Sequence, residues 1–203
     1  MVQTISETKV YRLLKSRDSS FLNLVEEIYK YAHDLLPKIN LVFSNYTGHG
    51  IMHSINVMEY MFDLCDKTNE MSDLELVAII YAALLHDIGM VVTEDEITSI
   101  KKDELKYEGR KYSQVLKKYK NEVLALQECI RPAHALRSKN HIIDKIENRL
   151  FIIPGYTNVS FADEIAYICE AHNENFDWLI GHLSNCDVKG MYSINSQYIA
   201  MLL

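Results

Sequence analysis

The stretch "AALLHDIGMVV", Ala82 to Val92, sets a histidine and an aspartate side by side at the end of an unbroken apolar run, Leu76 to Leu85. A carboxylate carried into such surroundings is costly unless a cation meets it. Five histidines, His49, His53, His86, His134 and His172, fall in helical or helix-edge segments among small or apolar neighbours. One such histidine is ordinarily a satisfied core residue. Five of them over four segments, with Asp87 beside His86, point to a shared ligand. A divalent cation answers both features: it supplies the positive charge that Asp87 needs, and it binds neutral imidazole nitrogens. Mixed histidine and carboxylate donors suit first-row metals, so the expected cofactor is one or two divalent ions from among Fe, Mn, Zn, Co and Ni, with Mg retained as a further candidate. Neighbouring residues on a helix lie about 100° apart. His86 and Asp87 can therefore flank a metal pair, with the carboxylate oxygens bridging the two ions.

Metal sites of this kind in helical proteins are built from side chains that project inward from facing helices. The chain has 7 Gly and 3 Pro in 203 residues, a scarcity of turn residues that favours helices joined by short loops, an all-α fold. The N-terminal stretch to about Asp18 reads as polar with a short amphipathic turn. Ser19 and Ser20 open a helix with Phe21, Leu24, Val25, Ile28, Tyr29, Ala32 and Leu35 on a 3.6-residue period. "NYTGHG" reads as a loop. Helices follow from Ile51 to about Asp66 and from a Ser72 cap to about Gly89, and Thr93 with Glu96 forms a capping box. Residues 101–122 are charged and tyrosine-rich, an exposed, charged helical insertion. A helix is expected from near Val123 to about Leu136, another from Phe161 to His172, and a last one over "SQYIAMLL". "LSNCDVKGMYS" is the place for a small hairpin. The expected organisation is an N-terminal helical extension over 1–44 packed on a domain over 45–203.

The formal charge of −7 argues against general nucleic-acid binding but leaves room for a local basic patch; of the two readings, the basic clusters Lys101-Lys102 and Lys117-Lys118-Tyr119-Lys120 fit solvated helix faces better. Cys65, Cys129, Cys169 and Cys186 show no C-x-x-C spacing and read as reduced thiols. No signal-peptide core or bilayer-length apolar run is present, so a cytoplasmic protein with no membrane association is expected.

The ordered motifs "GHGIMHSINV", "LLHDIG", "RPAHALRS" and "ICEAHNE" resemble the HD superfamily of metal-dependent phosphohydrolases, whose signature is H…HD…H…H…D on an all-helical bundle. The resemblance implies an HD-type bundle in which His53, His86, Asp87, His134 and His172 are metal ligands and Asp87 is the bridging carboxylate. By the same resemblance, His49 matches a histidine that protonates the leaving group in cyclic-nucleotide phosphodiesterases of the superfamily. The final aspartate of the signature has no counterpart after "NSQYIAMLL", and Asp187 lies in a turn-like setting. The expectation is a chain truncated before that ligand, with a C-terminal effector region beyond it; the alternative is an incomplete site that has lost a ligand.

The function so implied is hydrolysis of a phosphoester of a nucleotide or cyclic nucleotide by metal-activated water, with a small phosphorylated molecule as partner. The alternative is a nucleotide-sensing regulatory domain of a longer protein. Arg131 and Arg137 flank His134, where a guanidinium suits a phosphate; each could equally anchor a helix end through a salt bridge. Lys139 and Asn173 are weaker candidates of the same kind. Glu170 could orient a ligand histidine or face solvent. His33, His141 and His182 sit among polar residues outside any motif.

Overall fold

The computed structural model describes residues 4–45 and 50–203. Its elements are helices α1 (Lys9–Ser16), α2 (Leu22–Leu35), α3 (Asn40–Phe43), α4 (Ile51–Leu64), α5 (Asp73–Leu85), α6 (Glu94–Lys101), α7 (Tyr112–Tyr119), α8 (Glu122–Ile130), α9 (His134–Lys145), α10 (Ala162–Ala171), α11 (Phe176–His182) and α12 (Ser196–Leu202), with one antiparallel hairpin, β1 (Asp187–Lys189) and β2 (Tyr192–Ile194), before the last helix. The all-α expectation holds.

The bundle is organised around α5. Ser72 and Glu75 form a reciprocal capping box at its start, Glu75 N–H donating to Ser72 Oγ at 3.2 Å and Ser72 N–H to Glu75 Oε2 at 2.8 Å. Every residue from Leu76 to Leu85 is buried. A helix that is apolar all round must be enclosed on all sides, and α5 is enclosed by α1, α2, α4, α10, α12 and β2. Tyr81 packs edge-on against Phe151 and Phe161 at centroid distances of 5.5 and 5.3 Å, and its hydroxyl donates to Leu150 O at 2.7 Å. The core helix therefore has one way to sit, and its C-terminal end delivers His86 and Asp87 to a fixed place.

Several expectations change in detail. The stretch before Asp18 contains α1, a two-turn helix capped by Thr8, whose Val10, Tyr11 and Leu14 are buried in the common core. Helix α5 ends at Leu85, short of Gly89, and a separate 3-10 turn spans Ile88–Met90. The single helix expected over 123–136 is two: Pro132 lacks an amide proton, α8 ends at Ile130, a 3-10 turn spans Arg131–Ala133, and α9 begins at His134. The charged helical insertion over 101–122 is present as expected, a lobe containing α7, which packs on α8 and buries Tyr112. Helix α11, capped by Asn175, had no counterpart in the sequence reading. The hairpin lies where expected; Gly190 turns it at φ +64°, where a Cβ would also meet the Tyr156 ring at 2.6 Å.

All four cysteines are unpaired, and only Cys186 is exposed. No single helix among the described residues is long and apolar enough to cross a membrane.

Candidate metal centre

Four helix termini converge at one end of the bundle. The first turn of α4 carries His53, the C-terminal end of α5 carries His86 and Asp87, the first residue of α9 is His134, and His172 caps the C-terminus of α10. Pro132 matters here, because the break it imposes starts a new helix at His134 and turns that side chain toward α5.

Asp87 lies at the middle of the group, its side chain 8 % exposed. Its two oxygens face different histidines. Oδ2 is 3.1 Å from His86 Nε2 and 3.4 Å from His53 Nε2; Oδ1 is 3.6 Å from His134 Nε2. His172 Nε2 in turn lies 2.7 Å from His134 Nε2. Two sets of metal-ligating atoms result, His53–His86–Asp87 and Asp87–His134–His172, each with its atoms within 4.8 Å of one another and sharing the carboxylate.

The tautomers are set by the backbone. His86 Nδ1 contacts Ala83 O at 3.0 Å, His134 Nδ1 contacts Arg131 O at 2.6 Å, and His172 Nδ1 contacts Cys169 O. A carbonyl oxygen only accepts, so each Nδ1 carries the proton and each Nε2 presents a lone pair to the centre. Carbonyl-fixed imidazoles of this kind are the usual outer support of metal-ligating histidines. The His134 and His172 lone pairs then face each other at 2.7 Å, a repulsive arrangement unless a cation sits between or beside them. A proton on His172 does not serve at neutral pH, since burial first and neighbouring His86 second push its pKa down to about 4. The donor set thus fits a divalent metal. Cys169, buried next to the centre, stays a neutral thiol because burial, with the charge of Asp87 adding to it, pushes its pKa up.

That depression has a measurable consequence for the metal-free protein. Unfolded, His172 titrates near its ordinary value of about 6.5; folded, near 4. As pH falls below the ordinary value, the unfolded chain takes up a proton that the folded chain refuses. Stability present above the ordinary value is therefore lost progressively toward the folded value, roughly 2 kcal/mol of it by about pH 5. Burial lowers the His141 pKa as well, which adds in the same direction. Urea midpoints of metal-free protein should fall over this range, and less steeply in His172→Gln. An unchanged slope in that variant would refute the assignment.

The two halves of the centre are held together by α9. The Ser138 hydroxyl is fully buried; it accepts from Gly89 N–H at 2.9 Å and donates to His86 O at 2.5 Å, with His134 O at 3.0 Å. Arg137 donates through Nε to Gly89 O and through Nη2 to Val91 O, each at 2.7 Å, and through Nη1 to Glu96 at 3.1 Å and to the Tyr107 hydroxyl. Gly89 permits the contact: a Cβ there would meet His134 O at 2.1 Å and Ser138 N at 2.5 Å. The turn carrying Asp87 is thereby tied to the helix carrying His134.

His49 lies outside the described residues. Arg137 and Arg131, paired in the sequence reading, part company. Arg137 is the salt-bridging anchor of the two readings offered, its guanidinium spent on protein acceptors with desolvation lowering its pKa. It borders a cavity of about 760 Å³ on the far side of Gly89 that touches none of the five candidate ligands named above. Arg131 is half-exposed and reaches Glu128 at 3.3 Å, three residues from His134. Lys139 pairs with buried Glu170 at 2.7 Å over the Tyr167 ring, so the Glu170 carboxylate neither faces solvent nor hydrogen-bonds a ligand histidine among the described residues. Asn173 Nδ2 donates to Pro132 O at 3.3 Å, joining the ends of α10 and α8. Asp187 accepts from Ser196 at 3.0 Å in the hairpin. His141 Nε2 and the Tyr31 hydroxyl are hydrogen-bonded at 2.8 Å, and His182 stacks on Trp178. The sequence reading missed Ser138 and Gly89; the one available signal was a serine one helical turn after His134.

The family model of HD-CE matches residues 43–203, most of the chain. The protein belongs to the HD-CE family. The matched span begins at the end of α3 and takes in all four helix termini of the centre. No curated protein and no solved structure matches the chain.

Proposed function

We propose that this HD-CE protein is a metal-dependent phosphohydrolase acting on a phosphoester of a nucleotide. The observation that carries the reading is the division of the Asp87 carboxylate: one oxygen toward His53 and His86, the other toward His134, with His172 behind it. One buried carboxylate shared by two histidine sets is the donor arrangement for a metal pair. Divalent ions there would supply Lewis acidity, making water acidic enough to attack phosphorus at neutral pH and offsetting charge on the phosphoryl oxygens.

The chain's own residues have separable tasks. His86, His134 and His172 keep Nδ1 protonated on backbone carbonyls and so hold Nε2 toward the centre without needing to reorient. Arg131, in a surface pair with Glu128 worth about 1 kcal/mol or less, can leave that partner for a phosphate. His49 is proposed to protonate the departing oxygen.

Elemental analysis of purified protein, joined to a screen of nucleotide phosphomonoesters and phosphodiesters with Mn, Fe, Co, Ni, Zn and Mg, tests the reading. The expected result is up to two metal equivalents per chain and metal-dependent hydrolysis of at least one class. A protein that binds no metal and turns over no phosphoester with any of these ions overturns it.

A further inference from the structure

Charge in this chain is sharply segregated. Residues 101–120 carry seven Lys and one Arg against three acidic residues, a net of +5; the rest of the chain, with 13 basic and 25 acidic residues, carries −12. All eight cations are exposed. Lys101 pairs with Glu122 at 3.0 Å and Arg110 lies 3.6 Å from Glu108, but Lys102, Lys106, Lys111, Lys117, Lys118 and Lys120 form no ion pair among the described residues. Gathering like charge so tightly costs self-repulsion and creates a local field that attracts polyanions. The rest of the chain is net acidic and disfavours them, so the lobe is the favoured place of approach for a polyanion.

The lobe is a platform and not a tail. Tyr112 is buried, Val115 and Leu116 pack against the core, and the Asp103 carboxylate closes the loop by accepting from Ser113 N–H at 3.2 Å and from the Ser113 hydroxyl. It is also fastened to the metal-bearing turn. The Tyr107 ring lies 4.4 Å from the Arg137 guanidinium, and Arg137 donates to Gly89 O at 2.7 Å. A single side chain thus separates the lobe from the turn that follows Asp87. Helix α8 leads from the tip of the lobe at Asn121 directly to Arg131 and His134.

We propose that the 101–120 lobe is a docking surface for single-stranded nucleic acid, holding its phosphate backbone beside the metal centre. The choice of partner rests on the phosphoester reading above: a phosphodiester polymer is the polyanion that both the lobe and the centre would recognise. Exposed Tyr119, with Lys118 at 4.9 Å from its ring, adds a face on which a base can stack. A bilayer is the poorer fit, because the apolar side chains of α7 are turned into the protein and leave that helix no apolar face to insert. Exposed Val123 and Leu124 at the same corner make the vesicle arm of the test informative.

The experiment measures binding of fluorescein-labelled single-stranded DNA and RNA oligonucleotides to the full chain by anisotropy, across about 50 to 200 mM salt. Wild-type protein should bind with a slope of log affinity on log salt of about −4, the value for six phosphate contacts on a single strand. The triple variant Lys117→Gln, Lys118→Gln, Lys120→Gln changes only exposed side chains; it should weaken binding at least tenfold and bring the slope to about −2. Lys15→Gln, which removes an exposed cation outside the lobe, should bind as wild type does. Oligonucleotide bound but not hydrolysed with any metal leaves the lobe standing and counts against the phosphoester reading. Hydrolysis of small phosphoesters with no oligonucleotide binding does the reverse. No binding at the lowest salt, an unchanged slope in the triple variant, or salt-sensitive binding to phosphatidylserine vesicles in place of oligonucleotide overturns the proposal.

Discussion

Asp87→Asn is expected to abolish metal binding at both halves of the centre and to lower any phosphoester hydrolysis at least a hundredfold. Both candidate ligand sets contain this one carboxylate, and no second carboxylate belongs to either set. The amide keeps the shape and loses the charge, so each set is left with two neutral imidazoles. The effect is separable from unfolding by heat. Metal at about one hundred times its dissociation constant stabilises a folded protein by about 2.7 kcal/mol. In a chain of this size that raises the melting temperature by roughly 5–10 °C. The wild type should show this rise and Asp87→Asn should not, while the metal-free forms melt within a few degrees of each other. His172→Gln provides the contrast, because His172 belongs only to the second set. It should cost one metal equivalent and leave the other bound to His53, His86 and Asp87. Full metal content in Asp87→Asn would sink the bridging assignment.

The residue types of this centre are visible in the chain; its assembly is not. His86 and Asp87 stand out because they end an apolar run, and the capping box at Ser72 and Glu75 announces the helix that delivers them. His53, His134 and His172 stand out by their apolar settings. What decides their mutual placement is a contact between segments about fifty residues apart, Gly89 against the first turns of α9, and one-dimensional periodicity carries no signal of it. The two arginines show the same limit of local pattern. Arg131 and Arg137 are symmetric about His134 in sequence, yet Arg137 falls on the face of α9 that meets the 3-10 turn, and Arg131 falls before the helix begins. Helix α1 escaped because its three buried residues, Val10, Tyr11 and Leu14, are too few to establish a period; their burial comes from packing on α4 and α5. The split between α8 and α9 was written in Pro132, but apolar spacing on both sides bridged it in the reading.

Gly89→Ala is expected to damage the centre without touching a ligand. The added methyl would lie 2.1 Å from His134 O, 2.5 Å from Ser138 N and 2.8 Å from Arg137 Cβ. Two of these atoms are helix backbone, so no rotamer change makes room, and α9 must move away from the turn. Overpacking a core typically costs about 1–3 kcal/mol. Here the displacement also strains the buried Gly89 N–H bond to Ser138 and the Arg137 bond to Gly89 O, each worth about 1 kcal/mol or more. A loss of roughly 3–5 kcal/mol follows, read as a lower urea midpoint at unchanged denaturant dependence. The direction of the shift gives the sharper readout. Moving α9 carries His134 away from Asp87 while His53 and His86 keep their places on α4 and α5. Folded Gly89→Ala protein should therefore keep the His53–His86–Asp87 metal and lose the one that needs His134. Ser138→Ala removes the hydroxyl but leaves the helix free to stay close, so its cost should be smaller, about 1–3 kcal/mol, with both metals retained at reduced affinity. Stability within 1 kcal/mol of wild type together with full metal content in Gly89→Ala would show that the close approach of α9 does not hold the centre together.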